Sequence, residues 1–224
     1  MGDANPSDPL HQGQPILAMG EPLEDARAAM VLIHGRGATA ESILQLGHEL
    51  AQPNFAYIAP QAVHNTWYPQ SFLAPTAQNQ PWLDSALQRV GEIVAKINGA
   101  GIPNERILLA GFSQGACLVS EYAARHPQRY GGLLIFSGGL IGPPGGTRND
   151  VGSLDETPVF IGCSDVDFHI PVERVHETTA TFRRMGAVVN EQIYANMGHT
   201  INQDEIDHAR AIVASLANGE ANPK

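Results

Sequence analysis

The sequence predicts an α/β fold: a mostly parallel sheet with helices on both faces, in one domain and without a large cap domain. Three observations carry this. Short, continuously apolar runs recur at residues 28–34, 55–59, 106–112, 132–137 and 158–163, as expected of strands buried on both faces. They alternate with segments whose apolar residues repeat at helical spacing. The residues able to do chemistry directly follow the runs, and open parallel sheets gather their sites at the carboxyl ends of their strands.

Each element has its own justification. Residues 1–14 are polar and expected to be loosely attached, and residues 15–19 read as an edge strand. Residues 28–34 form a buried strand that ends in His34-Gly35-Arg36-Gly37. Thr39 is placed to cap a helix with apolar positions Ile43, Leu44, Gly47 and Leu50, because its hydroxyl can accept from a free N–H of the first turn. The strand over 55–59 is closed by Pro60. Residues 61–81 are rich in Pro, Gln and aromatic residues and have no period; a loop this long inside a compact domain reads as functional or lid-like. From Trp82 to Ile97 the residues Leu83, Ala86, Leu87, Val90, Ile93, Val94 and Ile97 share one helical face, and Gly99 and Gly101 stop the helix.

The stretch from Arg106 to Val119 is the centre of the chain. A short apolar run passes through Gly111-Phe112-Ser113-Gln114-Gly115. It continues into Ala116, Leu118, Val119, Tyr122 and Ala123, which are spaced like the buried face of a helix. His126-Pro127 ends that helix, because a proline ring cannot continue it. A strand, a sharp turn and a helix with serine at the apex make a nucleophile elbow. The flanking glycines let strand and helix approach each other closely.

The remaining elements follow the same logic. Residues 132–137 are a buried strand, 138–153 a Gly/Pro loop and 158–163 a strand. Pro171 opens a helix with Val172, Val175, Thr179, Phe182 and Met185 on one face, ended by Gly186. Residues 187–194 form the last strand. Asn202 with Glu205 starts the final helix as a capping-box pair, and its apolar face is Ile206, Ala209, Ile212, Val213 and Leu216. The tail from Asn218 is expected to fray.

Composition narrows the function. Across 224 residues, 43% are hydrophobic and 16% charged, and the net charge is −10, which reads as one globular domain. No Lys/Arg cluster offers a footprint for nucleic acid or an anionic membrane. The polar N-terminal residues lack a basic region followed by an apolar one, so no signal peptide is read, and no run approaches membrane-spanning length. Cys117 and Cys163 lack metal-ligand spacing and read as reduced thiols of a cytoplasmic protein. No cofactor or metal is expected. The expected partner is a small-molecule ester, with no stable membrane insertion; a homodimer stays open.

Serine is a weak nucleophile at neutral pH and needs a base, whose tautomer a carboxylate then fixes. His199, after the last strand and 86 residues beyond Ser113, is the best base. His169, beside the acid candidates, is its competitor. His64 sits in the long loop, within reach of substrate. His34 reads as a structural hydrogen-bonding group. His11, His48, His126, His176 and His208 read as solvated. Asp165 and Asp167 both follow the strand over 158–163; one faces the imidazole and the other caps the Pro171 helix, and spacing does not choose between them. The oxyanion of acyl attack needs backbone donors, for which Gln114 N–H and Arg36 N–H are the candidates. Trp67, Tyr68, Phe72, Leu73 and Phe168 are candidates to line a substrate pocket, with two or three of the five expected near the site.

His34-Gly35-Arg36-Gly37, the Gly111–Ala116 segment, Asp167-x-x-Ile170-Pro171 and Gly198-His199 together resemble the phospholipase/carboxylesterase family of α/β hydrolases, which includes the acyl-protein thioesterases. The resemblance covers roughly residues 28–216. It implies an α/β-hydrolase fold, a metal-free serine esterase acting through an acyl-enzyme, and Asp167 rather than Asp165 as the acid. This chain departs from the family pattern at Ile161-Gly162, where a His-Gly pair is common, and in Arg36 and Trp67-Tyr68-Pro69. Those last features resemble a bacterial esterase branch. Carboxylic ester hydrolysis is therefore the leading expectation. Thioester or lysophospholipid hydrolysis is the alternative within enzymes. A small-molecule receptor with little turnover is the alternative from another class.

Overall fold

The computed structural model describes residues 10–146 and 148–218. In chain order its strands are β1 (Ile16–Gly20), β2 (Ala28–Ile33), β3 (Phe55–Pro60), β4 (Ile107–Phe112), β5 (Gly132–Phe136), β6 (Pro158–Ser164) and β7 (Val188–Tyr194). The helices are α1 (Ala40–Glu49), α2 (Trp82–Gly99), α3 (Gln114–Arg125), α4 (Val172–Arg184) and α5 (Gln203–Asn218). The sheet order is β1-β3-β2-β4-β5-β6-β7; β1 runs antiparallel to β3 and every other pairing is parallel.

Alternation along β2 divides the core. Ala29, Val31 and Ile33 face a layer built with α2, α3 and α4, while Ala28, Met30 and Leu32 face α1 and α5. Both faces of the parallel strands are covered, which is why β2, β3, β5 and β6 are buried along their whole length and read as unbroken apolar runs. The helix starts are chemical. Thr39 Oγ accepts from Ser42 N at 3.1 Å while Ser42 Oγ accepts from Thr39 N at 3.0 Å. At α5, Asn202 Oδ1 accepts from Glu205 N at 2.9 Å and Glu205 Oε2 accepts from Asn202 N at 2.8 Å.

One expectation is corrected here. Residues 10–14 are not loose: His11 is fully buried rather than solvated. Its Nε2–H donates to the Trp67 carbonyl at 3.0 Å and its Nδ1 accepts from Val63 N at 3.2 Å. Arg89 Nη2 holds the Gln14 carbonyl at 2.7 Å. The His11 ring packs against Trp67 and Trp82, which accounts for the difference, and no periodicity announces it. Residues 1–9 and 219–224, whose looseness was also expected, lie outside the described residues, as does Thr147 of the Gly/Pro loop.

Candidate active site

The site is built where β4 turns into α3. Ser113 has φ 55° and ψ −120°, a left-handed conformation that costs a residue with a side chain about 1–3 kcal/mol. The surroundings hold it there. Ser113 N–H donates to Phe136 O at 2.9 Å, and Ser113 O accepts the first α3 hydrogen bond, from Cys117 N, at 3.0 Å. A Cβ at Gly115 would overlap the Ile33 carbonyl oxygen, so only glycine lets α3 start this close to β2. The result aims the Ser113 hydroxyl off the end of the strand.

The ends of β6 and β7 supply the rest. His199 Nε2 lies 2.8 Å from Ser113 Oγ, and His199 Nδ1 lies 2.6 Å from Asp167 Oδ2. The Asp167 side chain is fully buried, and that of His199 is 19% exposed. Asp167 Oδ1 also accepts from His169 N at 2.8 Å and Ile170 N at 3.1 Å, and the Cys163 thiol donates to Oδ2 at 3.8 Å. With its acceptors filled, the carboxylate has one orientation, and that orientation points Nδ1–H of His199 inward and Nε2 at the serine. Phe112 packs on the His199 ring at 4.9 Å between centroids.

Asp165 does something else. Its Oδ1 accepts from Asn196 N at 2.8 Å, so it pins the loop that carries His199. Ser164 Oγ accepts from Gly198 N at 3.2 Å on the same loop. The expectation that the second aspartate caps the Pro171 helix is thus corrected: α4 starts without a side-chain cap, because the Asp165 carboxylate is already spent on β7's loop. It is His199 whose ring nitrogen lies at Ser113 Oγ; the His169 ring stands edge-on to His199 at 4.8 Å.

Arg36 and Gln114 flank the serine from two sides. The Gly35 turn lies against Ser113, within 3.4 Å of its Cβ for an atom in the Gly35 Cβ position. Gln114 N–H belongs to the first turn of α3, where no intrahelical acceptor exists. Their side chains clamp the long loop. Gln114 Oε1 accepts from Trp67 N at 2.9 Å and its Nε2 donates to Tyr68 O at 2.8 Å. Arg36 donates to Pro69 O at 2.9 Å and Gln70 O at 2.7 Å. His34 is buried as a structural group: its Nδ1 donates to Gly35 O at 2.8 Å and its Nε2 accepts from Ala62 N at 3.1 Å. Burial lowers its pKa.

A cavity of about 470 Å³ opens beside Ser113. Tyr68 and Phe72 line it, together with Arg36, Gln114 and His199. Three expected lining residues do not. Trp67 is completely buried in the core, its Nε1 donating to His34 O at 2.9 Å. Leu73 packs against the same core from the loop. Phe168 is 91% exposed, because Asp167 Oδ1 gathers the N–H groups of His169 and Ile170 and the turn throws residue 168 outward. His64 also lies away from the cavity, 6.3 Å from Trp82 between ring centroids. Cys117 and Ile170, which were not among the expected lining residues, also line the cavity. The signal for Cys117 was available: it stands one helical turn after Ser113. Burial pushes the Cys117 thiol up to about 12, so it is a neutral wall and not a second nucleophile.

Among the described residues there is no His/Cys/Asp/Glu group arranged to hold a metal ion, and no helix is long and apolar enough to cross a membrane.

The comparisons agree with this architecture. A phospholipase/carboxylesterase from Dyadobacter fermentans superposes with a TM-score of 0.87 at 46% identity, over 90% of this chain and 97% of that one. The Bacillus cereus carboxylesterase shares the fold, with a TM-score of 0.73 at 16% identity over 92% of this chain and 95% of its own. An acyl-protein thioesterase 1 from Eremothecium gossypii is 27% identical over 92% of this chain and 93% of its own length. Residues 15–216 match the family described as Phospholipase/Carboxylesterase. The chain therefore belongs to the phospholipase/carboxylesterase family of α/β hydrolases and is a serine hydrolase acting on ester bonds.

Proposed function

We propose that the protein is a carboxylesterase that works through Ser113, His199 and Asp167 and an acyl-enzyme intermediate. The observation that carries the reading is the unbroken chain Ser113 Oγ–His199 Nε2–Nδ1–Asp167 Oδ2, at 2.8 and 2.6 Å, with the serine held in a strained turn at the mouth of a cavity. Ser113 Oγ attacks the ester carbonyl carbon while its proton passes to His199 Nε2. Asp167 stabilises the imidazolium and holds its orientation. The carbonyl oxygen becomes an oxyanion that accepts from the N–H groups of Arg36 and Gln114. His199 then returns the proton to the departing alkoxide, and the alcohol leaves. Water attacks the acyl-enzyme by the same steps, releasing the acid and restoring Ser113.

The Tyr68, Phe72, Cys117 and Ile170 walls favour an acyl group of modest size, and the substrate expected is a small neutral ester. A second reading has one specific support: the Eremothecium relative carries the name acyl-protein thioesterase. The same residues would cleave a thioester, with a thiolate leaving in place of an alkoxide. The test is turnover of p-nitrophenyl esters from acetyl to dodecanoyl by wild type and Ser113→Ala. Wild-type turnover with a short-chain optimum, lost in Ser113→Ala, supports the carboxylesterase reading. A long-chain optimum, or faster turnover of the matched thioesters, favours the second. Turnover surviving in Ser113→Ala overturns both.

A further inference from the structure

The cavity beside Ser113 is not the sole opening at this end of the sheet. A second cavity, of about 530 Å³, lies between α1 and the start of α5. The two adjoin next to the nucleophile: Gly35, Ala38 and Phe112 line both, while Ser113 and His199 themselves line the first. The first extends toward Tyr68, Phe72 and Cys117. The second extends past Ile201, Asn202 and Gln203, over a floor of Ile43, Leu46, Phe112 and Ile206. Glu49, the charged group at its rim, is already paired with Arg210 at 2.8 Å, so the groove carries no free charge for a cationic ligand.

From this shared wall we infer that the α1–α5 groove is the leaving-group subsite and that it takes an uncharged, apolar alcohol. The inference rests on the esterase reading above and adds to it which side of the ester goes where. The chemistry sets the direction. Once Ser113 Oγ bonds to the carbonyl carbon and the oxyanion lies at Arg36 and Gln114, the leaving oxygen must take its proton from His199 Nε2. The alcohol therefore projects on the His199 side. His199 is backed by Phe112 at 4.9 Å and followed by Ile201, and both line the second groove. The acyl group takes the remaining direction, toward Tyr68 and Phe72. An ester laid across Ser113 in this way fills both cavities, and its alcohol meets a floor of four apolar side chains. No bond is made or broken in the groove; it contributes by removing apolar surface from water.

The experiment uses butyrate esters whose alcohol grows from ethanol through butanol and hexanol to cyclohexylmethanol. These alcohols have nearly the same acidity, so leaving-group chemistry is constant. Released acid is titrated at constant pH. The expected wild-type result is a rise in kcat/KM of about tenfold from ethyl to the larger esters, the order of magnitude for partial burial of a few methylenes. Gln45→Trp, at the rim of the groove, is expected to flatten that rise. Leu46→Ala, in its floor, is expected to move the optimum to larger alcohols. A parallel series of ethyl esters with growing acyl chains is the control. A flat wild-type alcohol series overturns the inference, and so does an unchanged slope in Gln45→Trp. A Gln45→Trp effect confined to the acyl series reverses the assignment of the two cavities and overturns it as well. Failure of wild type to hydrolyse any ester in either series rejects the esterase reading itself, and the inference with it.

Discussion

The Asp165 carboxylate accepts the Asn196 N–H at 2.8 Å, while Asp167, two residues on, receives His199 Nδ1 at 2.6 Å. Two aspartates of one turn thus hold the same loop, one by its backbone and one by its imidazole. They can be separated by amide substitution. In Asp165→Asn the amide oxygen still accepts from Asn196 N, and kcat is expected to stay within about threefold of wild type. In Asp167→Asn the imidazole loses the acceptor that fixes its tautomer, and kcat is expected to fall about 10⁴-fold. Ester turnover by the two variants, with folding checked by circular dichroism, decides it. Equal losses would remove the distinction.

Gln114 joins the elbow to the long loop through its side chain, which serves Trp67 N and Tyr68 O together. Truncation to alanine leaves both buried backbone groups without their partner, at about 1–3 kcal/mol each. Gln114→Ala is expected to lose roughly 2–4 kcal/mol in urea unfolding, and to raise KM for esters whose acyl group reaches Tyr68. A loss under about 0.5 kcal/mol would mean that the loop is held without this clamp.

His11 is neutral in the folded protein. Burial lowers its pKa from 6.5 to about 4, against the opposing pull of the Trp67 carbonyl. A depressed histidine pKa means that the unfolded chain takes up a proton first as pH falls. The stability that His11 contributes is present above pH 6.5 and is lost between 6.5 and 4, by about 3 kcal/mol at most. The stability difference between wild type and His11→Gln should shrink by that order from pH 7 to pH 4. A difference that stays constant with pH would mean His11 is not titrating in this window.

Glu205 has the opposite sign. It is completely buried, its Oε1 has no partner among the described residues, and burial raises its pKa from 4.5 to about 7. A Cβ at Gly162 would overlap that oxygen, so the carboxyl is pressed against the end of β6. Its favourable contribution is present below pH 4.5 and is lost as pH rises through 7. Glu205→Gln keeps an oxygen for the Asn202 N–H and cannot ionise. Relative to wild type, its stability should improve by up to about 3 kcal/mol between pH 4.5 and 8.5. Chemical denaturation at both pH values measures it, and a variant that loses ground at the higher pH would refute the assignment.

What the sequence alone determined is local or periodic. Strands buried on both faces appear as apolar runs, Thr39 and Asn202 announce helix starts by backbone chemistry, and Gly111-x-Ser113-x-Gly115 between a run and a helical pattern can hardly be another turn. Because parallel strands deliver their ends to one edge, the sequence also brought Ser113, His199 and the Asp165/Asp167 pair to the same place. What only the tertiary structure decided depends on contacts far apart in the chain. Asp165 and Asp167 are chemically identical and two residues apart, so distance to the β7 loop alone assigns them different partners. Trp67, Tyr68 and Leu73 carry the same aromatic or aliphatic signal, yet Gln114, Arg36 and His34 pull the loop so that Trp67 enters the core and Tyr68 faces the cavity. His11 sits in a polar segment with no pattern and is buried because two tryptophans and the Val63 N–H leave a site its ring fills. A side chain's environment is the sum of its neighbours, and for these residues the deciding neighbours arrive from 31–74 positions away.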